Sequence, residues 1–569
     1  MESDTVAAKE AWLSDLVMQH PSEVDAEAYC VVLRSISRSN EPGAPHRAEQ
    51  IISRMTVEPN DSCYCAVMEA WVRSESDVVH VCWLRAERWF MKIKEPTLEA
   101  YHLLLDILSK GRGQVSNKQK NREQLIIQAT KAEQLLYSMK VPYDTQAFNY
   151  VIRAWLRVHT DPELMTTKVR ELLRKMEALQ QENPAGSVQP NTKSYCMGMQ
   201  SFAKLALHRV KSRTGDGRAE LKYVITLLNY MKDLQAQGQP DVVPNTVAYN
   251  ILIAAYARLS GSPGHENAPL QAEEVLRHMV ATGNEIAPDQ LSFTNAIHAW
   301  VNAKRERSAE RAAYWLDKLW QSYEANGEPE RLRPGIGIYN AVMKACRDDP
   351  RRTEEVFAEL LRAEKSDSSR HLRPNSESFS FLIHSLVKHD LARAVMWLEE
   401  LLRRESESNT IESMPSVTSS PEYFEAIISH AARNPSVERM SLAMKTIDLN
   451  RASRHPITFR TYVKLARLGL VVFSEPCHDM EREEFICDVI RDCRSDGLVS
   501  SFLVRAFANG PVYMTGWTAH ASQMKVAEYF SDWPMPASWT RNVPPQFRPQ
   551  EADTIRVRKE HPLPSAWEI

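Results

Sequence analysis

The chain has 569 residues, of which 43% are hydrophobic and 25% charged, and its net charge is −3. That length exceeds what one compact core supports, so several domains or a repeat array are expected. No apolar run reaches the roughly 18–20 residues that span a bilayer, and the net charge gives no global pull on nucleic acid. The nine cysteines are dispersed without a CxxC pair, which argues for a reducing compartment rather than a disulfide framework.

The opening segment, MESDTVAAKEAWLSDL, reads as an acidic amphipathic helix and as neither a secretory signal nor an Arg-rich transit peptide. Residues 1–25 are therefore expected to form an N-terminal capping helix. Beyond them an aromatic and its follower recur: Tyr29-Cys30, Tyr64-Cys65, Tyr101-His102, Phe148-Asn149, Tyr195-Cys196, Tyr249-Asn250, Phe293-Thr294, Tyr339-Asn340 and Phe379-Ser380. Degraded copies follow at Tyr423-Phe424 and Phe459-Arg460. The continuation recurs too, as YCAVMEAW (64–71), FNYVIRAW (148–155), YNILIAAY (249–256), FTNAIHAW (293–300) and YNAVMKAC (339–346). A second motif repeats as AEQIISRM (48–55), AEQLLYSM (132–139) and AEEVLRHM (272–279).

Each repeat starts three residues before its aromatic. The resulting boundaries are 26–60, 61–97, 98–144, 145–191, 192–245, 246–289, 290–335, 336–375, 376–419 and 420–455. The repeat 246–289 shows the logic. Tyr249, Leu252, Ile253 and Tyr256 line one face of a helix, Ser260–Gly264 breaks it, and Ala272, Val275, Leu276 and Met279 line a second helix that Gly283 and Pro288 close. Such a hairpin is too small to bury its apolar faces alone and needs neighbours. Excess length is expected in polar loops at 111–123, 209–219, 260–269 and 405–420. Residues 456–533 read as degenerate helical repeats and the Pro-rich 534–569 as an extended tail.

Two positions of the first helix carry candidate chemistry. The fifth residue, directly after the aromatic, sits in the first turn. Residues four and eight later share its ridge. The thirteenth position reads Arg38, Arg73, Lys110, Arg157, Lys204, Arg258, Asn302, Asp348 and Lys388. Seven of these nine are basic, far more than 70 Lys and Arg in 569 residues supply at random. One reading is compensation of helix C-terminal dipoles. The other is a ladder of phosphate-contacting cations, one per repeat.

The aromatic-Asn entry, the Pro-x junctions at Pro59, Pro96, Pro190, Pro244, Pro288, Pro334 and Pro374, and the register of the copies resemble the pentatricopeptide repeat family. The resemblance covers roughly 26–455. It implies an all-α fold, a right-handed α-solenoid of stacked helix-turn-helix repeats with first helices lining the concave face. It also implies binding of single-stranded RNA, one base per repeat, with the base chosen by the fifth residue and the last residue of each repeat. Carried over, Asn250 with Asp289 resembles the uracil pair, while Asn149 with Asn191 and Asn340 with Asn375 resemble pyrimidine readers leaning to cytosine. Thr294 keeps the purine-type residue opposite Gly335. The second position, which sandwiches the base, holds an aliphatic at Val247, Leu291 and Ile457; elsewhere it is Glu27, Glu99, Lys193, Gly337 or Glu377. Cys30, Cys65 and Cys196 depart from the pattern at the fifth position.

No catalytic role is expected. The chain has no H-x-E with P-C-x-x-C, no phosphate loop and no H-E-x-x-H helix, and neither a cofactor nor a metal is expected. The cluster Cys477–Asp496 reads as an acidic face with core cysteines rather than a metal site. The family resemblance implies work on mitochondrial or plastid transcripts, in stabilisation, processing or translation. The competing expectation is a protein-interaction scaffold, with protein partners engaged through the degenerate end repeats.

Overall fold

The computed structural model describes residues 6–19, 24–39, 41, 43–74, 79–110, 118–282, 286–327, 329–366, 372–410, 418–453 and, with interruptions, 455–493. Gly283, residues 494–533 and the Pro-rich segment 534–569 lie outside them. The described residues form 22 α-helices and no strand. None of the helices is long and apolar enough to cross a membrane.

The chain divides into two compact units, Met1–Lys304 and Arg305–Ile569. In the N-terminal unit, α1 (Val6–Gln19) precedes α2 (Ala26–Arg38) with α3 (Ala44–Ser53), α4 (Asp61–Arg73) with α5 (Val79–Phe90), and α6 (Leu98–Lys110) with α7 (Lys118–Tyr137). It continues with α8 (Thr145–Leu156) and α9 (Pro162–Glu182), α10 (Thr192–Ser212) and α11 (Arg218–Ala236), α12 (Thr246–Leu259) and α13 (Ala268–Thr282), and ends on α14 (Gln290–Ala303). The C-terminal unit holds α15 (Ser308–Ala325), α16 (Ile336–Ala345) with α17 (Pro350–Ser366), α18 (Ser376–Val387) with α19 (Leu391–Thr410), α20 (Pro421–Arg433) with α21 (Val437–Ala452), and α22 (Phe459–Val472). Within each unit a first helix packs on its own second helix and on the first helices before and after it, so hairpins stack into a helical-repeat solenoid. The boundary between the units falls inside the segment 290–335.

Polar caps start the first helices. Asp25, Asn60, Asp144, Asn191, Asn245, Asp289 and Asn375 each adopt extended backbone and accept from an amide in the first turn of the helix that follows. Each such cap is worth about 1 kcal/mol. The repeat aromatics Tyr29, Tyr101, Phe148, Tyr195, Tyr249, Phe293, Tyr339, Phe379 and Tyr423 are buried. Tyr64 is only partly so, and stacks on Trp89 with Lys92 nearby. Leu252, Ile253 and Tyr256 of α12 and Ala272, Leu276 and Met279 of α13 are core, with Val275 at its edge.

The repeated Ala-Glu and Ala-Trp motifs meet. Trp155 Nε1 donates to Glu133 at 3.1 Å, Trp300 Nε1 to Glu273 at 2.9 Å, and Trp71 Nε1 to Glu49 at 3.2 Å. In each case the first helix of one repeat is pinned to the second helix of the repeat before it. A cation completes each joint: Lys168 on Glu133, Arg277 on Glu273 and Arg85 on Glu49. The Glu273 side chain is only 1% exposed, so these partners are what make burying a carboxylate tolerable.

The expected loops are shorter than their polar composition suggests. Residues 118–123 open α7, residues 209–212 close α10, and α19 runs on through 405–410. Lys, Gln, Arg and Glu are good helix formers, so surplus length extends helices at little cost. The 260–269 break holds as far as 267, since α13 begins at Ala268, and Gly261 within it sits at φ 82°. A Cβ there would collide with the carbonyl oxygen of Asn302.

Candidate nucleic-acid interface

At three repeats a local device sets the last residue beside the fifth. Thr246, the first residue of its helix, donates through Oγ1 to Ala287 O at 2.9 Å; Thr192 does so to Val243 O at 2.9 Å and Thr145 to Gln189 O at 2.8 Å. Each bond pins the incoming junction, and so sets the position of the last residue of the repeat beside the fifth.

The predicted pairs are in contact. Asn250 Nδ2 donates to Asp289 Oδ1 at 3.0 Å, Asn149 Nδ2 to Asn191 Oδ1 at 3.4 Å, and Asn340 Nδ2 to Asn375 Oδ1 at 3.2 Å. A third member, a serine three residues into the next repeat, closes each set. Ser292 Oγ lies 2.6 Å from Asn250 Oδ1 and 2.9 Å from Asp289 Oδ1, and accepts from the Asp289 amide at 3.1 Å. Having one proton, the hydroxyl gives it along the shorter contact. Ser194 and Ser378 repeat the arrangement, each 2.7 Å from the fifth-position Asn oxygen. All three Asn side chains are buried, and the network satisfies them as a buried amide requires.

The last residue keeps one atom out of this network. Asp289 takes its bonds on Oδ1, which leaves Oδ2, an acceptor, without a partner among the described residues. Asn191 and Asn375 also accept on Oδ1, which leaves Nδ2, a donor. The same geometry therefore presents opposite hydrogen-bonding character in different repeats.

The structure adds a pair that the sequence reading passed over. His102 Nε2 lies 2.9 Å from Asp144 Oδ1, in the fifth-and-last positions of 98–144. Burial acts to raise the Asp144 pKa, but the His102 bond and the Ala147 amide outweigh it and hold the carboxyl below its usual range. The missed signal was an Asp at the N-cap in register with the other last residues. The serine signal was S-Y, S-F and S-F at 194, 292 and 378, three residues after an Asx cap.

Other predicted positions diverge. Thr294 spends its hydroxyl on Gln290 O at 2.7 Å in its own helix, and Gly335 has no side chain to offer. Val247 and Leu291 are 51% and 54% exposed at the second position, but Ile457 is buried. The fifth-position cysteines are buried; burial pushes Cys65 up to about 12 and Cys196 up to about 11, whereas the hydrogen bond with Cys63 holds Cys30 below the usual thiol range. Of the 477–496 cluster, Asp492 pairs with Arg451 at 3.1 Å and Cys493 is buried, while Cys487 and Asp496 lie outside the described residues.

The thirteenth-position row is partly built into the stacking. Lys204 Nζ donates to Leu156 O at 2.8 Å, Arg157 Nη1 to Ser109 O at 3.4 Å, Lys110 Nζ to Val72 O at 3.4 Å, and Asn302 Nδ2 to Ala257 O at 2.8 Å. Every acceptor lies in the last turn of the preceding first helix, where carbonyls lack helical partners. Burial pulls the Lys204 and Arg157 pKa values down, and Arg258 adds to the effect on Lys204. Arg73 pairs with Glu69 at 2.8 Å and Lys388 with Asp348 at 3.7 Å. Arg38 and Arg258 are exposed and make no ion pair among the described residues.

No family model matches the chain, and no curated protein matches it. Among solved structures, it matches the pentatricopeptide repeat protein PPR10 in complex with an 18-nt psaJ RNA element. The identity is 15%, over 92% of this chain and 83% of that one, with a TM-score of 0.29. PPR10 from maize matches at 15% identity over 93% and 95%, with a TM-score of 0.26. The chain is similar to pentatricopeptide repeat structures. At this identity and TM-score the likeness assigns no residue, and the site rests on the bonds described above.

Proposed function

We propose that this chain binds single-stranded RNA along the exposed faces of its first helices, one base per repeat, without catalysis. The observation that carries the reading is the Asn–Asx–Ser network, built three times in register and leaving one polar atom of the Asx outside it. Uracil carries a donor at N3, which suits the free oxygen of Asp289. Cytosine carries an acceptor there, which suits the free amide nitrogens of Asn191 and Asn375. Val247 and Leu291 supply apolar surface beside the base edge. Arg258, Arg38, Arg73 and Lys388 contact phosphates, and Lys110, Arg157 and Lys204 do so with the donors left after capping. The base preference is pyrimidine–any–U–purine–pyrimidine across 145–375, and the family resemblance points to mitochondrial or plastid transcripts.

A gel shift with that motif and its scrambled version tests the proposal. Tight binding of the motif, loosened by the scramble and falling steeply with salt, is expected. Equal affinity for both strands overturns the base assignments. The exposed Glu27 and the buried thiols Cys30 and Cys65 favour a protein partner at the first two repeats instead.

A further inference from the structure

The second position of the first helix is polar in most repeats, which leaves the question of what stacks on a base there. The sixth position lies one turn further on the same ridge. Where the second residue is Gln146 or Glu377, the sixth is aromatic: Tyr150 and Phe381, both partly exposed. Where the second is Val247 or Leu291, the sixth is Ile251 or Asn295. At these two repeats, then, aromatic surface stands one turn from a polar second residue, whereas at Glu27, Glu99, Lys193 and Gly337 the sixth residue is Val31, Leu103, Met197 or Ala341.

Tyr150 is the better defined of the two. Its ring meets the His102 ring edge-on, 5.8 Å between centroids at 62°, which places it beside the His102–Asp144 pair of the preceding repeat. Arg153 lies 5.1 Å from the ring centroid, and Gln146 Nε2 donates to the hydroxyl at 2.8 Å, so the ring is held in place from its own helix. The repeat aromatics that serve only packing, such as Phe148 and Tyr101, are fully buried by contrast. An aromatic ring kept partly exposed beside a hydrogen-bonding pair, with a guanidinium nearby, is the arrangement on which nucleobases stack.

Building on the proposed RNA binding, we infer that Tyr150 and Phe381 are base-stacking residues that take over from the second position. Tyr150 serves the base held by His102 and Asp144, and Phe381 the base held by Asn340 and Asn375.

The test uses the full chain and the RNA 5′-XCAUAC-3′ with X as 2-aminopurine, which places X at repeat 98–144. Stacking on Tyr150 quenches X on binding. Tyr150→Ala is expected to weaken binding roughly 5- to 100-fold and abolish the quench, while Tyr150→Phe retains both. Phe381→Ala is expected to weaken binding similarly and leave the quench at X intact. Binding without a quench at X in the unaltered protein overturns the inference and leaves RNA recognition standing; it needs no variant to fold. Failure of the unaltered protein to bind the RNA at all overturns both.

Discussion

Asn250 Nδ2 donates to Asp289 Oδ1 across 3.0 Å, tying the fifth residue of one repeat to the residue that caps the next first helix. One carboxylate oxygen starts α14 and orients Asn250, while Ser292 takes the Asp289 amide and donates to Asn250, so the fold and the candidate reading head share atoms. Such a site is organised before any ligand arrives, which lowers the cost of binding.

Ser292 is therefore expected to matter for both. Ser292→Ala removes the bridge to Asn250 and half of the α14 capping box. Unfolding monitored by circular dichroism should show a loss of about 1–2 kcal/mol. Selectivity at the base aligned with 246–289 should fall with it, because Asn250 is then held by its bond to Asp289 alone. Unchanged stability would mean that the serine is a bystander.

The cations of the thirteenth position should separate into two groups. Lys204→Ala removes a cap on the Leu156 carbonyl and is expected to lower the unfolding midpoint. Arg258→Ala, at an exposed site without an ion pair among the described residues, should leave the midpoint unchanged and reduce the salt slope of RNA binding by roughly one. Titrations at several salt concentrations distinguish them.

Much of this was legible in the sequence. The aromatic and its follower set the register, and the Asx residues at the ends of the repeats could be paired with the fifth residues before any contact was seen. The ladder was legible only as a row of charge. That Lys204 ends on a carbonyl one repeat away depends on how hairpins stack, which no local pattern encodes. The His102–Asp144 pair was not legible because histidine is not among the short polar residues that the family resemblance implies at the fifth position. The role of Ser292 was hidden for a different reason: it belongs to the following repeat. The runs at 118–123 and 209–212 looked like loops because they are polar, yet polar helix formers extend a solvent-facing helix as readily as apolar ones.

The Trp300–Glu273 joint is expected to hold α14 on α13. Trp300→Phe removes a 2.9 Å donor to a buried carboxylate and should cost about 1–3 kcal/mol, measured by chemical denaturation. Glu273→Gln should cost less, since a neutral amide is easier to bury.

Acid should weaken the His102–Asp144 contact. The folded-state pKa of Asp144 is depressed, so its contribution is complete above the ordinary Asp range near about 3.9 and is lost as pH falls through the folded value. Urea unfolding of the unaltered protein and of Asp144→Asn should show a gap at about pH 6 that closes on acidification below about pH 4. A gap independent of pH would assign the difference to capping alone.

The most direct test of base reading is Asp289→Asn, which turns the free acceptor at one repeat into a donor and changes little else. Affinities are measured for RNAs that differ only at the base aligned with 246–289. The unaltered protein is expected to prefer uracil, and the variant to shift toward cytosine at that position alone. An unchanged preference in the variant would contradict the account.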